Sequence, residues 1–249
     1  MSEDQFVPFH TTNLTGKRVL VLAPHPDDET IGCGGSLALH VAAGDPVKVV
    51  FLTNGAKGDM AGRFERQFYI ALRQEEARKA CDCLGGMDIE FWPYEDRELE
   101  NSPGVRKRIE KLLETYAPDL IYAPSPLEFH PDHRAACAFL CAAVQRFDYS
   151  CNIAFCEINQ PLRVNLLVDI TSVLKQKIIA LKAYQSQLDE RPYDEVAIAL
   201  SRFRSMTLPK GVTHAEGFSL WYSDMIQKAS YWGISVMAGM ANMDFSMNF

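Results

Sequence analysis

Short apolar runs alternate with helix-length segments through most of the chain, and this alternation limits the possible folds more than any other feature. Six runs predict strands, at residues 18–23, 46–53, 88–92, 120–123, 153–155 and 165–168. Segments with helical spacing follow most of them, at residues 29–43, 65–84, 103–116, 134–147 and 171–187. The strands lack polar alternation, which is typical of strands buried on both faces. We therefore predict an α/β fold: a single-domain, Rossmann-like, mostly parallel sheet with helices on both faces.

Composition argues against several classes of protein. The net charge is -7, whereas nucleic-acid-binding proteins usually carry a basic surface. No run approaches the roughly 18 consecutive apolar residues of a membrane span, and the N-terminus lacks the basic-then-apolar order of a signal peptide. The 7 cysteines are odd in number and form no CxxC pair, so we interpret them as reduced thiols. We expect a cytoplasmic protein that binds neither nucleic acid nor membranes.

Two short motifs combine histidine with neighbouring carboxylates. Residues 24–29 read Pro-His-Pro-Asp-Asp-Glu and follow the first predicted strand, and residues 130–133 read His-Pro-Asp-His and follow the fourth. In sheets of this kind, ligands bind beyond the carboxyl ends of the strands. We therefore expect the two motifs to meet in one site, although about a hundred residues separate them.

His25, Asp28 and His133 form a sound set of zinc ligands. His25 and Asp28 are three positions apart, a spacing at which both side chains can point the same way. Two imidazoles and one carboxylate leave the fourth position of a tetrahedral zinc open for water, as catalysis requires. The metal lowers the pKa of that water towards neutrality. Zinc is the expected cofactor, and iron(II) at the same ligands is the alternative.

Three more residues complete the expected catalytic set. Asp27, beside Asp28, is expected to act as the general base, and to deliver the proton to the leaving amine. His130 lies three residues before His133, and a charged imidazole there would stabilise the oxyanion of a tetrahedral intermediate. Asp132 is expected to hold His130 in one tautomer and to favour its charged form. Nothing in the sequence suggests a covalent nucleophile.

Structural roles explain some of these residues equally well when each is taken alone. An Asp at a helix start often only caps the helix, and Glu29 fits a structural role. The remaining histidines also fit structural or surface roles: His10, His40 and His214. The joint pattern favours a metal site, because three of the six histidines fall in the two motifs, beside acids and after predicted strands.

The two motifs together resemble the two signatures of the LmbE-like, or PIG-L, deacetylase family. The similarity extends over about residues 17–220. Enzymes of this family use zinc to remove the N-acetyl group from molecules that contain N-acetylglucosamine. The resemblance implies that His25, Asp28 and His133 are the zinc ligands, that Asp27 is the general base and that His130 is the electrostatic partner. The residues themselves suggest the same roles.

The resemblance also points to substrate contacts. Arg73 resembles an arginine that faces the substrate, and Asp96 resembles an acidic residue that contacts sugar hydroxyls. Asp96 is followed by Arg97 where many relatives have glycine. Some relatives have a tyrosine just before the second motif, where this chain has Phe129. We interpret Glu128 as a further candidate for binding a substrate hydroxyl or amine.

Domain limits follow from the extent of the resemblance. We expect residues 1–220 to form the deacetylase domain and residues 221–249 to form a C-terminal extension. The extension is apolar, aromatic and rich in methionine. We expect it to pack on the core or at a subunit interface, since an exposed apolar segment promotes association. A homo-oligomer is therefore expected.

The sequence predicts a metal-dependent N-deacetylase that acts on a small N-acetylated amino sugar or its conjugate. The alternative with the same metal site is an amidase that cleaves a thiol conjugate or another small-molecule amide. A nucleotide-binding module is disfavoured, because the first loop lacks GxGxxG and carries acidic residues where a nucleotide-binding loop would hold a phosphate. A metal-binding protein without catalysis is the last alternative. An Asp27→Asn variant tests the catalytic role: hydrolysis at the full rate with metal bound would show that Asp27 is not the base.

Overall fold

The computed structural model describes residues 3–146, 150–230 and 233–234. Its strands are β1 (Val19–Ala23), β2 (Val47–Thr53), β3 (Asp88–Tyr94), β4 (Leu120–Pro124), β5 (Asn152–Cys156), β6 (Leu166–Asp169) and β7 (Ala215–Tyr222). Its α-helices are α1 (Asp28–Ala42), α2 (Arg66–Cys83), α3 (Val105–Tyr116), α4 (Pro131–Val144), α5 (Leu174–Leu181), α6 (Gln185–Leu188), α7 (Tyr193–Arg204) and α8 (Ser223–Lys228). Within the described ranges, none of these helices is long and apolar enough to cross a membrane.

The seven strands form one sheet in the order β3-β2-β1-β4-β5-β7-β6. Neighbouring strands from β3 to β5 are parallel, and β7 runs antiparallel to both β5 and β6. The predicted mostly parallel, Rossmann-like sheet is confirmed. From β1 the chain proceeds outward through β2 and β3, then returns to place β4 on the other side of β1. This reversal of strand order opens a crevice at the carboxyl ends of β1 and β4, where ligands bind in such folds.

Two hydrophobic cores sandwich the sheet. Along β1, Leu20 and Leu22 pack into one core with α3 and α4, while Val19 and Val21 pack into the other with α1, α2 and α5. Successive side chains of a strand point to opposite faces, and here both faces are covered. This arrangement explains why the central strands are continuously apolar.

The chain after β6 differs from the prediction. The predicted helix over residues 171–187 is divided into a 3-10 turn, α5 and α6, and neither α7, β7 nor α8 was predicted. β7 does not read as an apolar run, because buried Glu216 and Gly217 directly follow its first residue, Ala215. Of the predicted extension 221–249, the part after β7 contains α8, which contacts α4. Residues 231–232 and 235–249 of that extension lie outside the described residues.

A buried ion pair joins α1, α5 and β7. Lys177 Nζ lies 2.6 Å from Glu216 Oε1, and both side chains are at most 3% exposed. Glu216 also accepts hydrogen bonds from the main-chain N–H groups of Gly35 and Ser36 in α1. A Cβ atom on Gly35 would lie 2.6 Å from Ile170 Cγ2, so this close approach requires glycine. The network holds α1, which is the helix that begins at the first motif.

Replacing Lys177 with methionine is expected to lower the free energy of unfolding by about 3–5 kcal/mol, because Glu216 would stay buried without its counter-charge. Urea unfolding followed by circular dichroism measures this change. The matched control is Lys79→Met on the exposed face of α2, where the ammonium lies 3.6 Å from Glu75 and the expected change is below about 0.5 kcal/mol. Equal changes for the two variants would contradict a stabilising role of the buried pair.

Candidate metal centre and active site

Both histidine motifs lie at the crevice where β1 and β4 end. His25 and Asp27 belong to the loop between β1 and α1, whereas His130 precedes α4 and His133 lies in its first turn. A proline at the first position of α4 suits a helix start, because that position needs no N–H donor. The ring centroids of His25 and His133 are 5.2 Å apart. The prediction that the two motifs meet in one site is confirmed.

Three donor atoms form a tight triangle in this crevice. Asp28 Oδ2 lies 3.1 Å from His25 Nδ1 and 3.1 Å from His133 Nε2, and the two imidazole nitrogens are 3.2 Å apart. All three side chains are buried. Bonds of roughly 2.0–2.1 Å in a tetrahedral zinc site place ligand atoms about 3.3 Å apart. The type and the separation of these donors therefore fit a zinc ion.

A buried carboxylate supports each of the two histidines from behind. His25 Nε2 lies 3.1 Å from Asp132 Oδ2, and His133 Nδ1 lies 3.2 Å from Glu128 Oε2. A carboxylate at the outer nitrogen fixes the tautomer of a ligand histidine and the direction of its inner nitrogen. The inner nitrogens of both rings consequently face Asp28.

Carboxylates dominate the electrostatics of the centre. Burial opposes protonation of both rings, but Asp132 and Asp28 hold the pKa of His25 well above its usual value. Against the same opposition, Asp28 and Glu128 raise the pKa of His133 to about 9. Burial would raise the pKa of Asp28, but His133 and His25 hold it well below its usual range. The cluster thus attracts positive charge, and a divalent cation would replace the protons on the two rings.

Other groupings of donors overlap this triangle. His25, Asp96, His130 and Asp132 have donor atoms within 4.8 Å of one another, and so do the three histidines of the two motifs. In the four-residue group, the Asp132 carboxylate already accepts main-chain N–H groups at 2.6 and 3.1 Å. The triangle that includes Asp28 is tighter, and a carboxylate supports both of its histidines. We therefore favour the triangle as the metal site.

Asp27 lies beside the triangle in a strained backbone conformation. Its φ is 140° and its ψ is -26°, a combination that residues with a Cβ rarely adopt and that often marks a functional position. Its side chain makes no helix-capping hydrogen bond, so capping does not explain it. Asp27 Oδ2 lies 3.3 Å from Arg73 Nη2. Burial raises the pKa of Asp27 to about 7, against the influence of Arg73, which suits a group that exchanges protons near neutral pH.

His130 borders the same cavity, but its environment differs from the expectation. Its Nδ1 accepts a hydrogen bond from the main-chain N–H of Asp132 at 3.3 Å, whereas the Asp132 carboxylate contacts His25. The predicted pairing of the Asp132 carboxylate with His130 is therefore wrong. Burial, with His25 and His133 nearby, lowers the pKa of His130 to about 4. A lowered pKa favours the neutral ring, and in that form an Nδ1 that accepts the main-chain N–H leaves the proton on Nε2.

A cavity of about 390 Å³ opens beside these residues, within the range of small-molecule sites. Arg73 and Asp96 both line it. Arg73 donates hydrogen bonds to the main-chain carbonyls of Pro26 and Gly55. Asp96 accepts the main-chain N–H of Lys57 at 2.9 Å. Both side chains are thus held in place by the loops that follow β1 and β2.

Glu128 lies behind His133 and does not form part of the cavity wall. It is 1% exposed, and its carboxylate accepts the main-chain N–H groups of Ile158 and Asn159. The predicted contact between Glu128 and the substrate is therefore wrong, because the His133 ring and the chain after β5 occupy its oxygens. Its position is that of a support for the metal centre.

Several residues that line the cavity were not predicted as site residues. They include Ile31, Lys57, Met60, Asn159, Glu190, Arg191 and Tyr193. Lys57 and Asn159 follow β2 and β5, so the rule that ligands bind at the carboxyl ends of strands could have found them. Arg191 and Tyr193 come from the junction of α6 and α7, and no motif in the sequence marks them.

Glu128→Gln is expected to weaken zinc binding by about 10–100-fold, because the neutral amide cannot support His133 as the carboxylate does. Competition with a chromophoric chelator measures the zinc affinity. Glu157→Gln is the matched control, since Glu157 is also a buried glutamate but pairs with Arg204 away from the triangle. An unchanged affinity in the Glu128 variant would show that this carboxylate does not act on the metal centre.

The fold and the site define an α/β protein with a candidate catalytic metal centre at the point where the strand order reverses. Residues 20–144 match the family model described as PIG-L, GlcNAc-PI de-N-acetylase. This chain belongs to that family.

Proteins similar to this chain agree with this assignment. Diacetylchitobiose deacetylase of Thermococcus kodakarensis is 31% identical over 191 residues, which cover 70% of this chain and 71% of the relative. Probable N-acetyl-alpha-D-glucosaminyl L-malate deacetylase 2 of Bacillus anthracis is 34% identical over 125 residues, 48% of this chain and 55% of the relative. The structure of N,N'-diacetylchitobiose deacetylase from Pyrococcus horikoshii superposes with a TM-score of 0.74 at 27% identity, covering 84% of this chain and 86% of that one. These three relatives are named as deacetylases of N-acetylglucosamine-type compounds.

Proposed function

We propose that this protein is a zinc-dependent hydrolase that removes the N-acetyl group from an N-acetylglucosamine-type sugar or its conjugate. The observation that carries the proposal is the position of Asp27, beside three buried donors 3.1–3.2 Å apart and on the wall of a cavity. The names of the relatives support the substrate class, since two of them are deacetylases of N-acetylglucosamine-containing compounds.

His25, Asp28 and His133 would hold the metal. When bound there, zinc would polarise the acetyl carbonyl and lower the pKa of the attacking water. Iron(II) is the alternative metal for the same ligands. Asp132 and Glu128 would act through the two histidines, by fixing the direction of their inner nitrogens.

Asp27 would move the proton. As general base it takes a proton from the attacking water, and as general acid it returns that proton to the leaving nitrogen. The amide C–N bond then breaks and yields acetate and the free amino sugar. The Arg73 guanidinium, 3.3 Å from Asp27 Oδ2, keeps the carboxylate in one orientation during both transfers.

His130 would stabilise the negative charge that develops on the carbonyl oxygen. Because its Nδ1 accepts a main-chain N–H, its Nε2–H is free to donate a hydrogen bond. A neutral imidazole serves as such a donor without carrying a charge. Arg73 and Asp96, on the cavity wall, are the proposed contacts for the sugar.

A substrate panel tests the proposed function. The zinc-loaded protein is assayed for acetate release from N-acetylglucosamine, N,N'-diacetylchitobiose and simple N-acetylglucosaminides, alongside acetamides that contain no sugar. We expect hydrolysis of at least one sugar and none of the sugar-free amides. Hydrolysis of a thiol conjugate or another amide, with no sugar accepted, would replace this proposal with the amidase alternative.

A further inference from the structure

Arg97 adopts a left-handed backbone conformation beside the metal centre. Its φ is 65°, a region that is unfavourable for residues with a Cβ and free of strain for glycine. The conformation points its main-chain N–H at Asp132 Oδ2, 2.6 Å away. Glycine would present the same N–H without strain. The backbone geometry therefore accounts for the turn but not for the arginine side chain.

The Arg97 side chain is exposed and forms part of the cavity wall. Two other cations on this wall have acidic partners: Lys57 lies 3.6 Å from Glu98, and Arg73 lies 3.3 Å from Asp27. Among the residues that the structure describes, no carboxylate lies within 4.0 Å of the Arg97 guanidinium. Its charge is available to a ligand in the cavity.

Arg191 supplies a second cation of this kind. It lies between α6 and α7, is exposed and lines the same cavity, and no carboxylate of the described residues lies within 4.0 Å of it. The neighbouring Glu190 is directed to Arg63, 2.7 Å away. Two guanidinium groups without acidic partners thus line one opening.

The charged residues of the cavity wall differ in burial. Asp27, Asp28 and Asp96 are buried, whereas Arg97 and Arg191 are exposed, so we take the carboxylates as the inner end of the cavity and the two arginines as its outer end. The carboxylates of the inner end are offset by Arg73 and by the proposed divalent metal, whereas the two exposed guanidinium groups keep an unbalanced positive charge that attracts an anionic group on a ligand. A substrate with such a group would therefore bind with the anion outward and with its neutral acetamide inward, towards the metal centre.

We propose that Arg97, together with Arg191, binds an oxyanionic group on the aglycone of the substrate and that Arg97 thereby determines specificity. The inference rests on the proposed deacetylase function and narrows its substrate class to N-acetylglucosaminides with an anionic aglycone. Guanidinium groups suit this task because their planar N–H donors pair with both oxygens of a carboxylate or phosphate.

Matched glycosides test the proposal. Zinc-loaded wild-type protein is assayed on carboxymethyl N-acetylglucosaminide, on its neutral carboxamidomethyl counterpart and on a phosphate-bearing analogue, as both anomers. We expect kcat/KM to be about 10–100-fold higher for one of the anionic probes than for the neutral one, the range of one charge-assisted hydrogen-bonded pair. The two anionic arms identify whether a carboxylate or a phosphate is recognised.

Arg97→Gly is the decisive variant, because it keeps the main-chain N–H to Asp132 and removes the strain. We expect it to reduce the preference for the anionic probe about tenfold or more, through a higher KM rather than a lower kcat. Arg66→Gln is the matched control: Arg66 is an exposed arginine, paired with Glu95 outside the cavity, and its replacement should leave the preference unchanged.

The outcomes separate this inference from the proposed function. Equal hydrolysis of the neutral and anionic probes by the wild-type protein would overturn the inference alone. An Arg97→Gly variant that keeps the full anionic preference would do the same. If acetate is released neither from these glycosides nor from any sugar of the substrate panel, the deacetylase proposal fails and the inference falls with it.

Discussion

Asp27→Asn is expected to reduce kcat for deacetylation by about 10²–10⁴-fold, the usual contribution of a positioned general acid–base group, while the bound zinc stays at the wild-type level. Asparagine has nearly the same shape but cannot accept a proton from water or return it to the amine. Acetate release measures the rate, and elemental analysis measures the metal. Both measurements are needed, because Asp27 adjoins the proposed ligand Asp28 and its replacement could change the metal content as well as the rate.

The control for this variant is Asp88→Asn, which neutralises a largely exposed carboxylate at the start of β3. We expect the control to keep both the rate and the metal content. If Asp27→Asn hydrolyses the substrate at the full rate with metal bound, Asp27 is not the base. If the variant loses its metal, Asp27 contributes to metal binding, and the proposed division between ligand and base is wrong.

His133→Ala is expected to abolish tight zinc binding and to lower the rate more than 100-fold, beyond the 10–100-fold effect of losing a group behind a ligand. The change removes one corner of the donor triangle and leaves the Asp28 and Glu128 carboxylates without their shared partner. Treating the wild-type protein with a chelator should produce the same loss. Added zinc should restore the chelated wild-type protein but not the variant.

The His133 variant also distinguishes between two candidate metal sites that share His25: the triangle with Asp28 and His133, and the four-residue group with Asp96, His130 and Asp132. His214→Ala is the control, because the His214 ring contacts Thr213 and lies outside the cavity wall. If His133→Ala retains stoichiometric zinc and Asp96→Asn loses it, the metal binds on the other side of His25, among Asp96, His130 and Asp132. Loss of zinc from the His133 variant alone supports the triangle.

The central part of the fold could be predicted from the sequence because it is encoded locally. Each parallel strand is a continuous apolar run, since both of its faces are buried, and each following helix has its own spacing and end signals. The antiparallel strand β7 was missed for the opposite reason. Its first half contains Glu216 and Gly217, which interrupt the apolar run. Glu216 is acceptable in a buried strand only because Lys177 and the N–H groups of α1 satisfy its carboxylate.

The meeting of the two motifs could also be predicted from the sequence. His25 and His133 follow strands that the alternation pattern already places in a parallel sheet, and the carboxyl ends of such strands share one edge. That rule determines which residues come together but not their orientation. The structure adds the orientation, with His25 Nδ1 and His133 Nε2 directed at one oxygen of Asp28.

What the sequence determined by itself is therefore the sheet, its functional edge and the residue types gathered there. What only the tertiary structure decided is the partner of each group: Asp132 supports His25 rather than His130, and Glu128 supports His133 rather than a substrate. The physical reason is that a strand run or a helix start depends on neighbours within a few residues. The partner of a buried carboxylate depends instead on which N–H groups and rings the packed elements bring within about 3 Å of it.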